Sequence, residues 1–350
     1  MAWVKEIRKI YSDGRHNAFT DIEYWKGHYY VTFRNAGRHA VPGDYGDILV
    51  IRSEDLRSWE VCARLSAGDD HDDRDPHLLD LGDELGVYFF SGFPERPGGL
   101  LYTVPGNGRH LQSYASFTSD GTSWSAPQLL WDGWAVWQVE RFGDVCYASF
   151  MSKEDFVIAR SSDGRNWEEV STIQFPIRPT AEAGIWVAED GKMKLIVRMR
   201  GRGYEPSAYF AESEPPYKEW HLKELGYIVH SPVIRQVGDE LWVAGRAFGR
   251  QLPLSMVPPE PPREKVEALA RLDERLAKPQ EWHVALWRLV GDRLDPILVL
   301  PSRGDNAYPG MVVEEGRVLV SYYSQHDVDN GPKPKPGEYA SEIFLAEIEP

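Results

Sequence analysis

Three short turns of closely similar sequence constrain the fold of this chain more than any other feature. They read Ser-Glu-Asp-Leu-Arg-Ser-Trp at Ser53 to Trp59, Thr-Ser-Asp-Gly-Thr-Ser-Trp at Thr118 to Trp124, and Ser-Ser-Asp-Gly-Arg-Asn-Trp at Ser161 to Trp167. In such a turn the Asp carboxylate accepts hydrogen bonds from nearby backbone N–H groups, Gly supplies a positive φ, and Trp packs the turn against the next sheet. A β-rich run precedes each turn, so the three copies indicate a repeated β unit.

The remaining sequence extends this unit along the whole chain. Each unit begins with an apolar strand that carries a polar residue near its start, followed by a Gly-containing turn and a second strand rich in Val, Tyr, Phe and Leu. The six units begin near Ala18, Arg74, Trp134, Glu182, His230 and Ala307. Six units of about four short strands predict an all-β, six-bladed β-propeller that forms one domain over residues 1–350. We expect the last strand, Glu342 to Ala346, to pair with the N-terminal strand and close the ring.

One segment departs from the β pattern. Pro261 to Lys278 is charged, rich in Ala and Leu, and helical in period. Because it interrupts the fifth unit, we predict a helix in a long loop over one face. A solvated surface insertion is favoured, with a lid or a subunit contact as the alternative.

The composition limits the possible partners. The net charge of −15 argues against nucleic acid and against anionic membrane surfaces, although arginines that converge at one point can still bind an acidic sugar. The two cysteines, Cys62 and Cys146, provide neither a disulfide framework nor a metal motif, and we expect both to be buried thiols. The N-terminus shows no apolar signal segment, and no apolar run approaches transmembrane length, so we expect a cytoplasmic protein.

The predicted architecture also identifies candidate site residues. In a propeller the inner strands converge on the axis, so polar residues near their starts surround one central pocket, whatever their separation in sequence. The residues in this position are Asp21, Arg74, Asp75, Trp137, Glu182, His230, Ser231 and Tyr308.

The three turns resemble the Asp-box of the sialidase-type β-propellers, with Trp one residue earlier than in the usual box. The fourth unit is similar to the sialidase stretch in which a Glu opens the inner strand and an Arg closes the second strand, here Glu182 and Arg198. The segment Ala307-Tyr308-Pro309 is similar to the stretch that bears the sialidase nucleophile. The resemblance implies that Tyr308 is the nucleophile, that Glu182 is its base, and that Arg198 and Arg246 belong to an arginine triad that binds the substrate carboxylate.

The first unit departs from this family, because the Arg-Ile-Pro that provides the first triad arginine is missing. Arg15, Arg34 and Arg38 are the nearby arginines. For the acid/base residue the loop offers Asp44 and Asp47, of which Asp44 lies nearer the expected place. Despite this departure, the resemblance of the other units to sialidases implies a glycoside hydrolase that acts on an acidic glycan and needs no cofactor.

The chemistry of this set is coherent. A tyrosine has an unperturbed pKa near 10, so a nucleophile at neutral pH needs an adjacent base such as Glu182. A phenol also avoids placing a carboxylate nucleophile beside an anionic sugar. Arginines bind a planar carboxylate with two parallel hydrogen bonds.

Three other interpretations fit the same residues. Asp21, Arg74-Asp75-Pro76 and Glu182 also resemble the three acids of five-bladed furanosidase-type propellers, and glycoside hydrolysis requires paired carboxylates. A polysaccharide lyase would use a Tyr or His to remove the proton next to a uronate carboxylate while arginines neutralise that group. A glycan-binding propeller without catalysis is the third.

The acidic run at Asp69 to Asp73, together with His71 and His77, is a possible metal site or lyase base. No ligand spacing in it is diagnostic, and acid-rich loops are mostly solvated, so we predict no metal. His77 is retained as a candidate substrate contact, as are Arg74, Trp137 and His230.

Overall fold

The computed structural model describes residues 2–39, 44–94, 109–152, 154–199, 208–253, 255–256, 282–327 and 340–350. Regular structure in these residues consists of β-strands and one 3-10 turn, Gly249–Gln251. The strands form six four-stranded antiparallel sheets, which confirms the predicted six-bladed propeller. The helix predicted for Pro261 to Lys278 lies outside the described residues. In the part of the chain described here, no helix combines the length and apolar character needed to span a membrane.

Each of the first five blades consists of four consecutive strands, ordered from the axis outward. Blade 1 contains β2 (His16–Trp25), β3 (His28–Ala36), β4 (Asp47–Ser53) and β5 (Glu60–Leu65). Blade 2 contains β6 (Asp72–Asp80), β7 (Leu85–Pro94), β8 (Arg109–Thr118) and β9 (Gln128–Asp132). Blade 3 contains β10 (Ala135–Phe142), β11 (Val145–Met151), β12 (Phe156–Ser161) and β13 (Glu168–Thr172).

Blade 4 contains β14 (Pro179–Val187), β15 (Met193–Met199), β16 (Ala208–Ser213) and β17 (His221–Glu224). Blade 5 contains β18 (His230–Val237), β19 (Glu240–Phe248), β20 (Trp282–Val290) and β21 (Arg293–Leu300). Blade 6 joins both chain ends: β22 (Ala307–Glu314), β23 (Arg317–Ser324) and β24 (Glu342–Glu349) are completed by β1 (Trp3–Tyr11). The antiparallel pairing of β1 with β24 closes the ring through backbone hydrogen bonds, as predicted.

The hydrophobic core lies between adjacent blades. One cluster joins Phe33 and Leu49 of blade 1 to Leu319 and Tyr323 of blade 6, and similar clusters fill the other inter-blade spaces. Because each blade buries both of its faces against neighbours, its middle strands are almost continuously apolar. Burial of this apolar surface, at about 25 cal/mol per Å², holds the blades in fixed register around the axis.

The three similar turns connect the third and fourth strands of blades 1, 2 and 3. In each turn one carboxylate oxygen of the Asp accepts two backbone N–H groups, at 2.8 Å for Asp55, 2.7 Å for Asp120 and 2.8 Å for Asp163. These bonds lower the pKa of Asp55 to about 2. Leu56 adopts a φ of 60° where the other two turns have glycine. Tyr88 of blade 2 donates to the carbonyl oxygen of Gly164 at 2.7 Å, so the turn is anchored to the neighbouring blade.

Each of the six inner strands carries a register shift near its start. The shifts lie between Ala18 and Asp21, Arg74 and His77, Val136 and Val139, Pro179 and Ala183, His230 and Val233, and Ala307 and Gly310. At four of these bulges a non-glycine residue has a positive φ: Phe19 (65°), Asp75 (53°), Ser231 (52°) and Tyr308 (50°). Such backbone costs about 1–3 kcal/mol per residue and is typical of functional sites, and bulges re-aim the side chains they carry.

Candidate active site

Tyr308 and Glu182 meet at the centre of the ring. The Tyr308 hydroxyl donates a hydrogen bond to Glu182 Oε1 at 3.1 Å. Tyr308 is the bulge residue of β22, whereas Glu182 lies at the bulge of β14, two blades away. Glu182 is only 6% exposed. The sequence predicted this contact within hydrogen-bond distance, and the structure contains it.

Four donors hold the Glu182 carboxylate. Arg198 of β15 forms an ion pair with Oε1, the oxygen that also accepts from Tyr308. The other oxygen, Oε2, accepts the Ser231 backbone N–H at 2.7 Å and the Ser231 hydroxyl at 3.2 Å. Both carboxylate oxygens are thus used as hydrogen-bond acceptors. The side chain is therefore fixed with one oxygen directed at the phenol.

The surroundings of Tyr308 favour the protonated phenol. Burial raises its pKa well above the usual value, and the charges of Asp75 and Glu182 raise it further, whereas Arg198 and Arg74 act in the opposite direction. The Phe19 and Trp137 rings pack at 4.5 and 5.3 Å between ring centroids. At neutral pH the phenol thus keeps its proton, which lies on the hydrogen bond to Glu182.

Arg246 and His230 form a second polar group beside this pair. Arg246 Nε and Nη2 lie 3.3 and 2.9 Å from His230 Nδ1, and Nη1 donates to the Asn306 carbonyl oxygen at 3.2 Å. Burial, with the charges of Arg198 and Arg246, holds the pKa of His230 well below its usual value, so the imidazole is neutral. Because Nδ1 accepts from the guanidinium, the ring proton lies on Nε2. His230 can therefore donate a hydrogen bond from Nε2, whereas Nδ1 is already occupied by Arg246.

Arg74 and Arg34 share a buried carboxylate, Asp72. Arg34 donates to Asp72 Oδ1 from Nε at 2.9 Å and from Nη2 at 2.6 Å, and Arg74 Nη1 lies 2.9 Å from Oδ2. Burial alone would raise the pKa of Asp72, but the two arginines hold it below its usual value. Arg34 is wholly buried, so this contact gives it a structural position and not the substrate-facing one expected of a triad arginine. Arg74 extends over the Phe19 ring at 4.8 Å, next to the central pair.

The other first-unit candidates lie apart from this group. Arg15 is exposed on the turn between β1 and β2, and the Arg38 carbonyl oxygen accepts a hydrogen bond from Arg34 Nη1 at 3.0 Å. Asp47 pairs with Arg64 of the outer strand β5 at 2.7 Å, and Asp44 accepts the Gly37 backbone N–H at 2.9 Å. Within the described residues, none of these four candidates contacts Tyr308 or Glu182. Arg15 lies on the turn before β2, Arg38 and Asp44 lie on the β3–β4 connection, and Asp47 begins β4.

Both carboxylate oxygens of Asp21 bind backbone N–H groups and so help to hold the fold together. Its Oδ1 accepts Ile22 N and its Oδ2 accepts Leu78 N of blade 2, both at 2.9 Å, and His77 Nδ1 lies 3.4 Å from Oδ2. The six blades and these occupied oxygens argue against the five-bladed furanosidase interpretation.

His77 and Trp137 line the axis. Their rings pack edge to face with centroids 5.2 Å apart. With Ser231 and Tyr308 they border a cavity of about 10 Å³, the space that one water molecule needs.

Sequence reasoning missed three polar residues next to the site. His16, Asp72 and Asp305 each lie three positions before a bulge residue, namely Phe19, Asp75 and Tyr308. That repeated offset is the signal that could have found them.

The expectation of a solvated acidic loop was wrong for its last two residues. Asp72 and Asp73 are wholly buried at the start of β6, whereas Asp70 is exposed and contacts His71 at 2.8 Å. The inner strand β6 begins at Asp72, so the last two acidic residues belong to the strand and not to a solvated loop.

Comparison with known proteins gives the fold. No protein-family model and no curated protein matches the sequence. A Dyadobacter fermentans protein of unknown function aligns with a TM-score of 0.71 at 16% identity, over 99% of both chains. A mutant Trypanosoma rangeli sialidase displaying trans-sialidase activity aligns with a TM-score of 0.62 at 10% identity, over 99% of this chain and 58% of that one. The phage phi92 endosialidase aligns with a TM-score of 0.59 at 10% identity, over 98% and 69%.

The chain therefore spans little more than half the length of the trypanosomal sialidase, and it shares with these enzymes the six-bladed sialidase-like propeller fold.

Proposed function

We propose that this protein is a sialidase-like glycoside hydrolase that acts on an acidic glycan. The observation that carries the proposal is the hydrogen bond of 3.1 Å from Tyr308 to Glu182 on the propeller axis, where the charges of Arg198 and Arg74 act on the phenol. A phenol becomes a nucleophile when a positioned base accepts its proton. The sialidases that share the fold support this assignment.

The reaction proceeds in two displacements. The Tyr308 oxygen attacks the anomeric carbon as Glu182 accepts its proton, the glycosidic bond breaks, and an acid protonates the departing oxygen. Water then attacks the anomeric carbon and gives its proton to the deprotonated acid, while the tyrosyl–sugar bond breaks and Glu182 returns the phenolic proton to the Tyr308 oxygen. Arg198 pairs with Oε1, the oxygen that faces the phenol, and so holds that oxygen in place for the proton transfer.

Three cationic or donor groups are assigned to the substrate carboxylate. Arg246 and Arg198 come from corresponding ends of β19 and β15, and the charges of both act on His230, which can donate from Nε2. Arg74 adds a further positive charge that acts on Tyr308. A neutral histidine donor and planar guanidinium groups suit a carboxylate better than they suit a neutral hydroxyl.

Asp75 is the first candidate for the acid, because its charge acts directly on Tyr308 and its backbone is held in the bulge. Asp44 is the candidate that the family resemblance implies. Activated aryl glycosides separate the two, since a good leaving group needs no proton. Replacing the true acid, by Asp75→Asn or Asp44→Asn, should abolish cleavage of natural glycosides and preserve cleavage of the aryl glycoside.

The test of the whole proposal is product analysis on a panel of sialosides and uronic-acid glycosides. We expect a free acidic sugar, and a loss of about 10³-fold or more in kcat/KM for Tyr308→Phe. Tyr322→Phe is the matched control, because it removes another phenolic hydroxyl of blade 6, one that donates to the Pro301 carbonyl oxygen. An unsaturated uronate absorbing in the near ultraviolet, or binding without turnover across the panel, would contradict the proposal.

A further inference from the structure

A second cluster of reactive side chains lies where blades 1 and 6 meet. His16 Nε2 lies 3.0 Å and His39 Nδ1 lies 2.5 Å from the same oxygen, Asp305 Oδ2. One donor atom from each residue lies within 4.8 Å of the other two. The cluster is separate from the Tyr308 and Glu182 pair, and the reaction proposed above does not use it.

The Asp305 carboxylate is held in place through Oδ1, the oxygen that does not face the histidines. Tyr323 donates to Oδ1 at 3.0 Å, and Arg246 Nη1 lies 3.8 Å from the same oxygen. Oδ2 is thereby directed at the two imidazoles. Partners of this kind, which fix the far oxygen of a ligating carboxylate, are a regular feature of metal centres.

The imidazoles differ in exposure. The His16 side chain is wholly buried, and its Nδ1 has no hydrogen-bond partner among the described residues. The side chains of His39 and Asp305 are 28% and 22% exposed. Two nitrogen donors that converge on one anionic oxygen, with one open side, form a two-histidine, one-carboxylate set, which suits zinc and neighbouring divalent metals.

We propose that His16, His39 and Asp305 bind one divalent transition-metal ion, zinc by preference, with a fourth coordination position open on the side of His39. Zinc bonds of about 2.0–2.1 Å in a tetrahedron separate the ligand atoms by about 3.3 Å. His16 and Asp305 are already near that separation, at 3.0 Å. The partly exposed His39 ring is the ligand that moves outward to admit the ion.

The position of the site connects it to the central pocket. The Phe19 ring lies 5.4 Å from His39 and 4.5 Å from Tyr308 between centroids, and Arg246 contacts both His230 and Asp305. A divalent ion here adds positive charge beside the residues assigned to the substrate carboxylate. Metal binding itself does not depend on the proposed hydrolase activity, so the two are tested separately.

The test is zinc binding to the full chain after removal of metals with a chelator. Isothermal titration with Zn²⁺ at pH 7.5 should give one site per chain, and Zn²⁺ should raise the melting temperature. His39→Ala and Asp305→Asn should each weaken Zn²⁺ binding by at least about tenfold. His110→Ala is the matched control, because it removes an exposed histidine that contacts Asp132 at 2.6 Å elsewhere on the surface, and it should leave the affinity unchanged.

Co²⁺ provides a readout that does not rely on variants. The wild-type protein loaded with Co²⁺ should show the intense visible bands of a four-coordinate ion, displaced by Zn²⁺. Absence of a one-to-one Zn²⁺ site in the wild-type titration would overturn the proposal. So would equal affinity in folded His39→Ala and Asp305→Asn proteins, or a Co²⁺ spectrum typical of a hydrated octahedral ion.

Discussion

Replacement of Glu182 by Gln isolates the base while keeping the shape of the side chain. In the wild-type protein the Glu182 carboxylate accepts hydrogen bonds from four donors, two on each oxygen. If the amide oxygen stays toward Tyr308 and Arg198, the amide NH₂ faces Ser231. The Ser231 hydroxyl can turn and accept, but the Ser231 backbone N–H then meets a donor. The structural cost is therefore about one buried unsatisfied donor, or about 1–3 kcal/mol.

The catalytic cost is larger. Gln cannot accept the phenolic proton, so kcat/KM should fall by about 10²–10⁴, the range for a positioned base. Tyr308→Phe should lower it at least as much, because it removes the nucleophile itself. Since base and nucleophile act in one step, the double variant should be barely slower than Tyr308→Phe alone.

The assay is a cycle of four proteins, with kcat/KM measured on the best acidic glycoside and the folded state checked by thermal unfolding. Ser231→Ala serves as control, because it removes one hydroxyl contact to Glu182 and leaves the backbone donor and the base in place. Effects of Glu182→Gln and Tyr308→Phe that multiply in the double variant would refute the coupling and leave Glu182 as an independent ligand of the sugar.

Three further predictions concern stability and pH. Asp72→Asn leaves two buried arginines without their shared anion and should destabilise the fold by about 3–5 kcal/mol in urea titrations, whereas Arg160→Ala at an exposed ion pair should cost under about 1 kcal/mol. The pKa of Asp55 is lowered to about 2, so the Asp55 carboxylate stabilises the folded state above about pH 4 and loses this contribution toward pH 2. The difference in melting temperature between wild type and Asp55→Asn should therefore shrink from about pH 4 to about pH 2. Burial raises the pKa of Asp73 to about 7, so stability should fall as the pH rises from about 4 to 7, and Asp73→Asn should flatten that slope; an unchanged slope would contradict the burial argument.

Much of the fold could be predicted because the relevant signals are local. Each repeated unit carries its own signals: apolar strands, a polar residue at the start of the inner strand and, in three units, an Asp turn. These signals predicted the six blades in their correct order. The pairing of Tyr308 with Glu182 followed from position alone, since equivalent ends of inner strands meet on the axis. The closure of blade 6 by both chain ends followed from the same repetition.

Contacts that depend on three-dimensional proximity could not be predicted in this way. The Arg34 and Asp72 ion pair links residues of different blades, and nothing in the spacing of the sequence showed that Arg34 would be used internally. The cluster of His16, His39 and Asp305 joins opposite ends of the chain, without the short ligand spacing that makes a metal motif readable. The positive φ at Phe19 and Ser231 follows from the bulges, which come from blade packing and not from local propensity.

The nucleophile is the central claim, and covalent trapping tests it most directly. The protein would be incubated with 2,3-difluorosialic acid and with 2-deoxy-2-fluoroglucuronyl fluoride, then digested and examined by mass spectrometry. The account predicts a glycosyl adduct on the peptide that contains Tyr308, formed by wild-type protein and absent from Tyr308→Phe. An adduct on a peptide carrying Asp75 or Glu182 instead, or turnover of a glycan to an unsaturated sugar with no adduct from either reagent, would contradict it.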